Sequence, residues 1–376
     1  MPVRYEVSQG EMQMLKKELE EDLRGEDEPM EEEPEVEMDQ EEGEMAELGS
    51  LSDEEDYKFK DSDFVLLVAQ NQGAEGDDSE EPDDHTLEVQ VYDSEEQNIF
   101  VHHDFPLPEM AIALQWIPMV PEQERGSFLA IGTLQPEVEL WNLDVVDILE
   151  PAAILPGHTG PVTALSWVSL NEKFLLSSSA DCTVRMWDIS SGQLALTKTQ
   201  HTREVQSVAW NRSKAHVAAS AGSDRVVWVF DVRSSEPGLK QTCCDELELI
   251  KWNPHNSAII TTVLDSGLVQ FYDIRKLGSP LVEFSPHRDQ AESVVLSYNE
   301  TAQNIIATGS FDGTCKLWDL NGSAPALLAS REMEIGSILS VEYAPRDKFV
   351  LGAAGSSGSI AVWDTSENAD VEKRLS

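Results

Sequence analysis

Two sets of side chains in this chain are of types that could do chemistry together: His158, Ser177, Asp181 and Trp187, and then His287, Thr308, Asp312 and Trp318. A hydroxyl, an imidazole and a carboxylate are the parts of a nucleophilic relay, in which the imidazole takes the hydroxyl proton and the carboxylate orients the ring. Such a relay needs one exposed hydroxyl in a cleft. A set that returns with the period of the chain reads instead as a buried network that satisfies a Trp N–H. Catalysis is therefore not expected. Other chemistries lack their residues. Cys182, Cys243, Cys244 and Cys315 include no C-x-x-C pair, so neither a zinc site nor a disulfide framework is expected. His102 and His103 invite a metal, yet successive side chains on a strand face opposite ways, so that pair is not expected to hold one. With no Gly-rich phosphate loop and no metal-ligand cluster, no cofactor and no small-molecule substrate are expected.

The elements that must position these residues show as a repeat. An aromatic residue followed by Asp or Asn closes a β-prone run at Tyr92-Asp93, Trp141-Asn142, Trp187-Asp188, Phe230-Asp231, Tyr272-Asp273, Trp318-Asp319 and Trp363-Asp364. The intervals are 49, 46, 43, 42, 46 and 45 residues, close to the period of WD repeats, in which each unit is a four-stranded propeller blade. A second register ends in an aromatic upstream of most landmarks, at Ala113 to Trp116, Ala164 to Trp167, Val205 to Trp210, Leu249 to Trp252 and Leu339 to Tyr343. Its period-two alternation predicts the inner strands. All nine tryptophans fall inside this lattice and are expected to be core rather than an aromatic cage for a methylated lysine. The two His, hydroxyl, Asp and Trp sets resemble the structural tetrad of WD repeats.

The expected fold is all-β: a seven-bladed WD-repeat propeller over residues 56–376, behind a disordered acidic tail over 1–55 that carries one short helix. Several blades depart from the pattern. Phe230 and Tyr272 replace Trp, Gly355 to Gly358 stand where a turn Asp would sit, and the first blade has no loop His. That blade reads as Asp56 to Lys60, Phe64 to Gln70, an acidic loop over 71–85, Leu87 to Tyr92 and Asn98 to Phe105. Twelve residues follow Asp364, so either they form the last outer strand or the N-terminal segment completes it.

Charge divides the chain in the same place. The formal net charge is -45, and residues 1–56 hold 23 Asp and Glu against four Lys and Arg. Such a balance argues against gripping nucleic acid through its phosphates, leaving only local or partner-mediated contact. No secretory signal and no apolar run long enough for a membrane span is present, so a soluble intracellular protein without membrane contact is expected. In the tail, Ser8 and Glu11 have capping-box spacing, and Met12, Leu15, Leu19 and Leu23 follow at helical intervals, predicting an amphipathic helix over about 9–24. It is either a motif that folds into a partner's groove or a nascent helix without one. Residues 26–56 have too few apolar side chains to offset ordering entropy. They read as a solvated spacer, or as a polyanion for basic clients such as histones or ribosomal proteins. Ser52 and Ser79 sit in acidic runs suited to an acidophilic kinase, so both are expected phosphorylation sites.

Two stretches, Leu87 to Asp104 and Pro136 to Pro151, resemble the periodic tryptophan protein 1 family, and the likeness continues across residues 56–364. The resemblance implies a non-catalytic WD-repeat scaffold of the nucleus and nucleolus. Its implied work is large-subunit ribosome assembly and ribosomal RNA processing or expression, with links to chromatin and transcription. Its partners would be pre-ribosomal assembly factors, with the chain a monomer within a larger complex. A lysine-rich insert that some relatives carry is absent, because Leu155 runs directly to Gly157 and His158, and no basic import cluster occurs elsewhere. Two alternatives remain open. Phe230-Asp231-Val232-Arg233 and Tyr272-Asp273-Ile274-Arg275 resemble the boxes by which substrate receptors of cullin-RING ubiquitin ligases dock to their adaptor, through Arg233 and Arg275. The other alternative is a chromatin reader that binds histones.

Overall fold

The structure is a computed structural model that describes residues 64–72, 84–93, 96, 98–117, 126–145, 149–287, 293–322, 324–345 and 347–375. The expected tail helix with Met12, Leu15, Leu19 and Leu23, the serines Ser52 and Ser79, and the strand from Asp56 to Lys60 lie outside the described residues.

Seven antiparallel sheets follow one another along the chain, five of four strands and two of three. The middle five begin with Ala111–Ile117, Val162–Ser166, Val205–Trp210, Leu247–Trp252 and Val294–Tyr298, and the seventh with Ile338–Tyr343. The first strands of consecutive sheets lie against one another from the second sheet to the fifth and from the sixth to the seventh, and Ile259–Leu264 of the fifth meets Val294–Tyr298 of the sixth, which arranges the sheets radially as the blades of a propeller. The second register of the sequence does supply these inner strands. Apolar burial follows from this arrangement: six clusters of buried side chains each join one sheet to the next. Between the first and second sheets, Leu87 and Phe105 meet Leu129, Ile131 and Trp141. None of the nine tryptophans is exposed.

Six of the seven aromatic-Asp or aromatic-Asn landmarks end a strand for one local reason, while Asp93 accepts from the Glu96 N–H, three residues on. The carboxylate or amide oxygen accepts a backbone N–H two residues on, as in Asn142 from Asp144, Asp188 from Ser190, Asp231 from Arg233, Asp273 from Arg275, Asp319 from Asn321 and Asp364 from Ser366. This turn mimics a backbone turn and releases the chain toward the outer strand. The aromatic before it faces the neighbouring sheet.

The two ends of the ring differ from the rest. In the first sheet, Tyr92-Asp93 closes the middle strand, Asp84–Asp93, between Phe64–Gln72 and Asn98–Leu107. Its three strands thus correspond to the last three of a blade. The seventh sheet consists of Ile338–Tyr343, Val350–Gly355 and Ile360–Asp364, the first three of a blade. One of the two expected closures is corrected here: the residues after Asp364 form a helix, Ala369–Leu375, not an outer strand. The side chain of Asn368 caps it, accepting from the N–H groups of Asp370 and Val371. Acids occupy its first turn and Lys373 and Arg374 its last, complementing the helix dipole. Val371 and Leu375, four apart, are buried in the cluster that joins the sixth and seventh sheets.

A second correction concerns His102 and His103. The pairing of Asn98–Leu107 with its neighbour slips beside Val89, where Val89 faces His103 and Gln90 faces Val101. This bulge breaks the alternation on which the opposite-facing expectation rested. The two Nδ1 atoms lie 2.8 Å apart.

Candidate functional site

Both sequence-derived tetrads assemble, each within one blade. In the third, Trp187 Nε1–H donates to Ser177 Oγ (2.8 Å), which lies 2.7 Å from His158 Nε2, while His158 Nδ1 meets Asp181 Oδ2 at 2.8 Å. The partners define the protons. A carboxylate at Nδ1 holds the N–H there, leaving Nε2 to accept the Ser177 hydroxyl proton. The sixth blade repeats the chain: Trp318 donates to Thr308 (3.0 Å), Thr308 meets His287 Nε2 (3.1 Å), and His287 Nδ1 meets Asp312 (2.9 Å). Thr183 and Thr314 each donate a further hydroxyl to the carboxylate of their own blade, Asp181 or Asp312.

A third set escaped the sequence reading. His201 Nδ1 meets Asp224 at 3.0 Å, and His201 Nε2 meets Ser220 at 2.8 Å, with Phe230 where Trp stands in the other two. Its signal was available. His201, Ser220, Asp224 and Phe230 are spaced as His158, Ser177, Asp181 and Trp187 are, and attention to the missing Trp hid the rest.

Electrostatics fit neutral rings against charged carboxylates. Burial lowers the pKa of His158, His201 and His287, outweighing the pull of the adjacent Asp. For Asp181 burial works upward, but hydrogen bonds from Thr183, His158 and the Thr159 N–H prevail and hold the carboxyl below its ordinary range. The hydroxyls of Ser177, Ser220 and Thr308 belong to residues with no exposed surface. A substrate cannot reach them, so the arrangement ties the blades rather than activating a nucleophile.

Blades without the set satisfy their aromatic otherwise. Trp141 donates to Glu139 (2.8 Å), whose carboxyl burial pushes up, and the Tyr272 hydroxyl donates to Gln270 (2.9 Å).

Two cavities open on the propeller. One, of about 320 Å³, lies between the fifth and sixth blades and is lined by Asn253, Asn256, Asn304, Phe271 and Leu281 among others. The other, of about 310 Å³, is lined by Glu246, Glu248 and Asp265 together with Gln206 and Ser293. There burial, and then Asp265, raise the pKa of Glu248, while Arg203 pairs with Glu246. Arg233 and Arg275 follow the landmark aspartates of the fourth and fifth blades. Their side chains are 67% and 71% exposed, and each folds back on its own Asp231 or Asp273 through two nitrogens. Among the described residues no group of three or more His, Cys, Asp and Glu could hold a metal ion. Nor is any described helix long and apolar enough to cross a membrane.

Comparison with known proteins agrees with this geometry. The family model for the WD domain, G-beta repeat, matches residues 149–188, 192–231 and 278–319, which cover the three blades with the His, hydroxyl and Asp set. The chain is similar to Periodic tryptophan protein 1. The Drosophila melanogaster homologue of that name is 28% identical over 322 residues, covering 81% of this chain and 68% of its own. The Saccharomyces cerevisiae Periodic tryptophan protein 1 is 27% identical over 321 residues, covering 73% of this chain and 55% of its own. The chain spans between 55% and 68% of the length of three curated relatives that it matches. A chain in a crystal structure of the mitotic checkpoint complex shares the fold, with a TM-score of 0.61 at 19% identity over 75% of this chain and 84% of that one.

Proposed function

We propose that the protein is a non-catalytic interaction scaffold of ribosome biogenesis, acting in the nucleus and nucleolus on large-subunit assembly and ribosomal RNA. The observation that carries this reading is the likeness to Periodic tryptophan protein 1 across 81% of the chain. The propeller supports it physically: six clusters of buried side chains join its seven sheets in series, and the loops between strands are available to partners. Among the described residues, the hydroxyls placed as in a hydrolytic relay, those of Ser177, Ser220 and Thr308, are sealed in the blades. Partners are pre-ribosomal assembly factors, with basic clients such as ribosomal proteins or histones captured by the acidic residues 1–55. Ser52 and Ser79 would deepen that charge when phosphorylated.

The test is a tagged pull-down from nuclear extract, with and without RNase, with co-purifying proteins and RNA identified. Large-subunit assembly factors and precursor ribosomal RNA support the scaffold, and their response to RNase tells whether RNA bridges the contact. A preparation free of any pre-ribosomal component overturns it. Deleting residues 1–55 should abolish capture of histones if the tail does the capturing.

A second reading has one observation in its favour. Arg233 and Arg275 present exposed guanidinium groups on adjacent blades, as docking to a ubiquitin-ligase adaptor requires. Their ion pairs are solvent-exposed, so Arg233→Ala and Arg275→Ala should leave the thermal midpoint essentially unchanged. Loss of adaptor co-purification in the double variant would then report binding alone, and unchanged co-purification rejects the docking role.

A further inference from the structure

In five of the six first strands from the second sheet to the seventh, pairing to the next strand slips at the second residue, at Ile112, Thr163, Gln206, Glu248 and Leu339. A bulge re-aims a side chain, and the radial arrangement of the strands sets these five positions around one mouth of the central channel. Three residues beyond Glu248 and Leu339, Lys251 pairs with Glu342 across that channel, and Arg212 pairs with Glu300 further along. Side chains three apart on a strand ordinarily face opposite ways, but the bulge shifts the alternation, so Glu248 and Leu339 open on the channel above the pair that closes it. The mouth is a blind cup.

One side of the cup is acidic and the other apolar. The cavity of about 310 Å³ brings Glu246, Glu248 and Asp265 together over an apolar wall of Leu249, Val294 and Val295. It lies at the seam where Ile259–Leu264 meets Val294–Tyr298. At the matching bulges of the second and seventh blades stand Ile112 and Leu339, 42% and 52% exposed. The carboxyls do not suit a metal, since among the described residues no group of three or more His, Cys, Asp and Glu could hold one. They do suit a guanidinium: Arg203 already sits on this rim, its Nη1 donating to Glu246 and to the Ser223 carbonyl. No described cation pairs with Glu248 or Asp265 in the same way, and burial, followed by Asp265, raises the pKa of Glu248.

We propose that this cup binds one arginine side chain of a partner protein, whose flanking apolar side chains rest on Leu339 and Ile112. The planar fork of a guanidinium can bridge Glu248 and Asp265, which the point charge of a lysine does not. The aliphatic stem lies along Leu249, Val294 and Val295. Charge complementarity selects a basic partner, and the apolar side selects one whose arginine stands among apolar neighbours. The surface belongs to the propeller, so it depends neither on the acidic residues 1–55 nor on the ribosomal reading.

The test titrates the full chain with a fluorescent, end-capped peptide, Leu-Ala-Arg-Ala-Leu, read by anisotropy. Beside it run the same peptide with citrulline or lysine in place of arginine, and one with alanine in place of both leucines. Citrulline keeps the shape and loses the charge, and should bind about tenfold or more weaker, with lysine between the two. Glu248→Gln removes a half-buried carboxyl, so it should melt at or above the parent and lose about tenfold or more in affinity for the arginine peptide. Leu339→Ser should lose about threefold or more for the leucine peptide and nothing for the alanine one. Both variants keep residues 1–55, so capture by that tail would persist in them. The proposal is overturned if the arginine peptide does not bind or if citrulline or lysine binds as tightly. It is equally overturned if Glu248→Gln and Asp265→Asn both bind as the parent does, or if Leu339→Ser leaves the affinity for the leucine peptide unchanged.

Discussion

Ser177 shows how one atom can serve two neighbours. Its Oγ accepts from Trp187 and lies against His158 Nε2, so Ser177→Ala leaves a buried indole N–H and an imidazole nitrogen unsatisfied. The expected cost is about 2–4 kcal/mol, read as a lowered midpoint in urea. Ser220→Ala orphans only His201, because Phe230 has no N–H to satisfy, and should cost about half as much. Equal losses at the two positions would show that the Trp bond contributes nothing. Protonation tests the same networks. His158, His201 and His287 titrate near the ordinary 6.5 when unfolded, and burial holds each folded ring below that. Below their unfolded pKa the unfolded chain therefore binds more protons than the folded one, and stability must fall. The urea midpoint should hold steady from pH 8 to about 7 and drop as pH goes below about 6.5, with a shallower drop in His201→Gln. The tetrads were legible in the sequence because each closes within about thirty residues. The hydrogen bond between His102 and His103 was not, because the alternation rule assumes a register that only pairing to Val89 reveals.

Elements at the ring's ends carry the departures from the repeat. The helix Ala369–Leu375 is too short to stand on propensity, so its cap and its two buried side chains must hold it. Asn368→Ala should cost about 1 kcal/mol, and Val371→Ala about 1–2 kcal/mol through lost burial. Hydrogen exchange of the helix amides and chemical denaturation check both. Protection unchanged in Val371→Ala would mean that Arg374 with Asp319, and Lys348 with the Leu375 carbonyl, suffice to dock it. The capping residue, the flanking charges and the four-residue apolar spacing were all present in the sequence. The repeat arithmetic outweighed them, since every earlier landmark is followed by an outer strand.

The whole molecule depends on how closely the blades approach. At Gly309 an added Cβ would stand 2.6 Å from Ile338 and 2.7 Å from Val341, both on the first strand of the next blade. Gly132 meets Val162 in the same way, at 2.8 Å. Overpacking in such a core costs about 1–3 kcal/mol, so Gly309→Ala and Gly132→Ala should each lower the thermal midpoint. A midpoint at or above the parent's would show that the blades can part without cost. Other ties skip a blade altogether. Lys251 of the fifth blade pairs with Glu342 of the seventh, which also accepts from Ser297 of the sixth, and Arg212 of the fourth pairs with Glu300 of the sixth. No local pattern announces these pairs.

Blade order, the turn at the end of each third strand and the partners within two tetrads can be read from residue types and their spacing alone. Each of these is an interaction inside one repeat, so the spacing of residue types is enough to encode it. The remaining features arise from contacts between distant segments. The slip that joins His102 to His103, the helix that replaces an outer strand, the two cavities and the ion pairs across the ring all depend on which surfaces meet. Such meetings are set by packing between distant segments, where a displacement of one residue or a few tenths of an ångström changes which atoms touch.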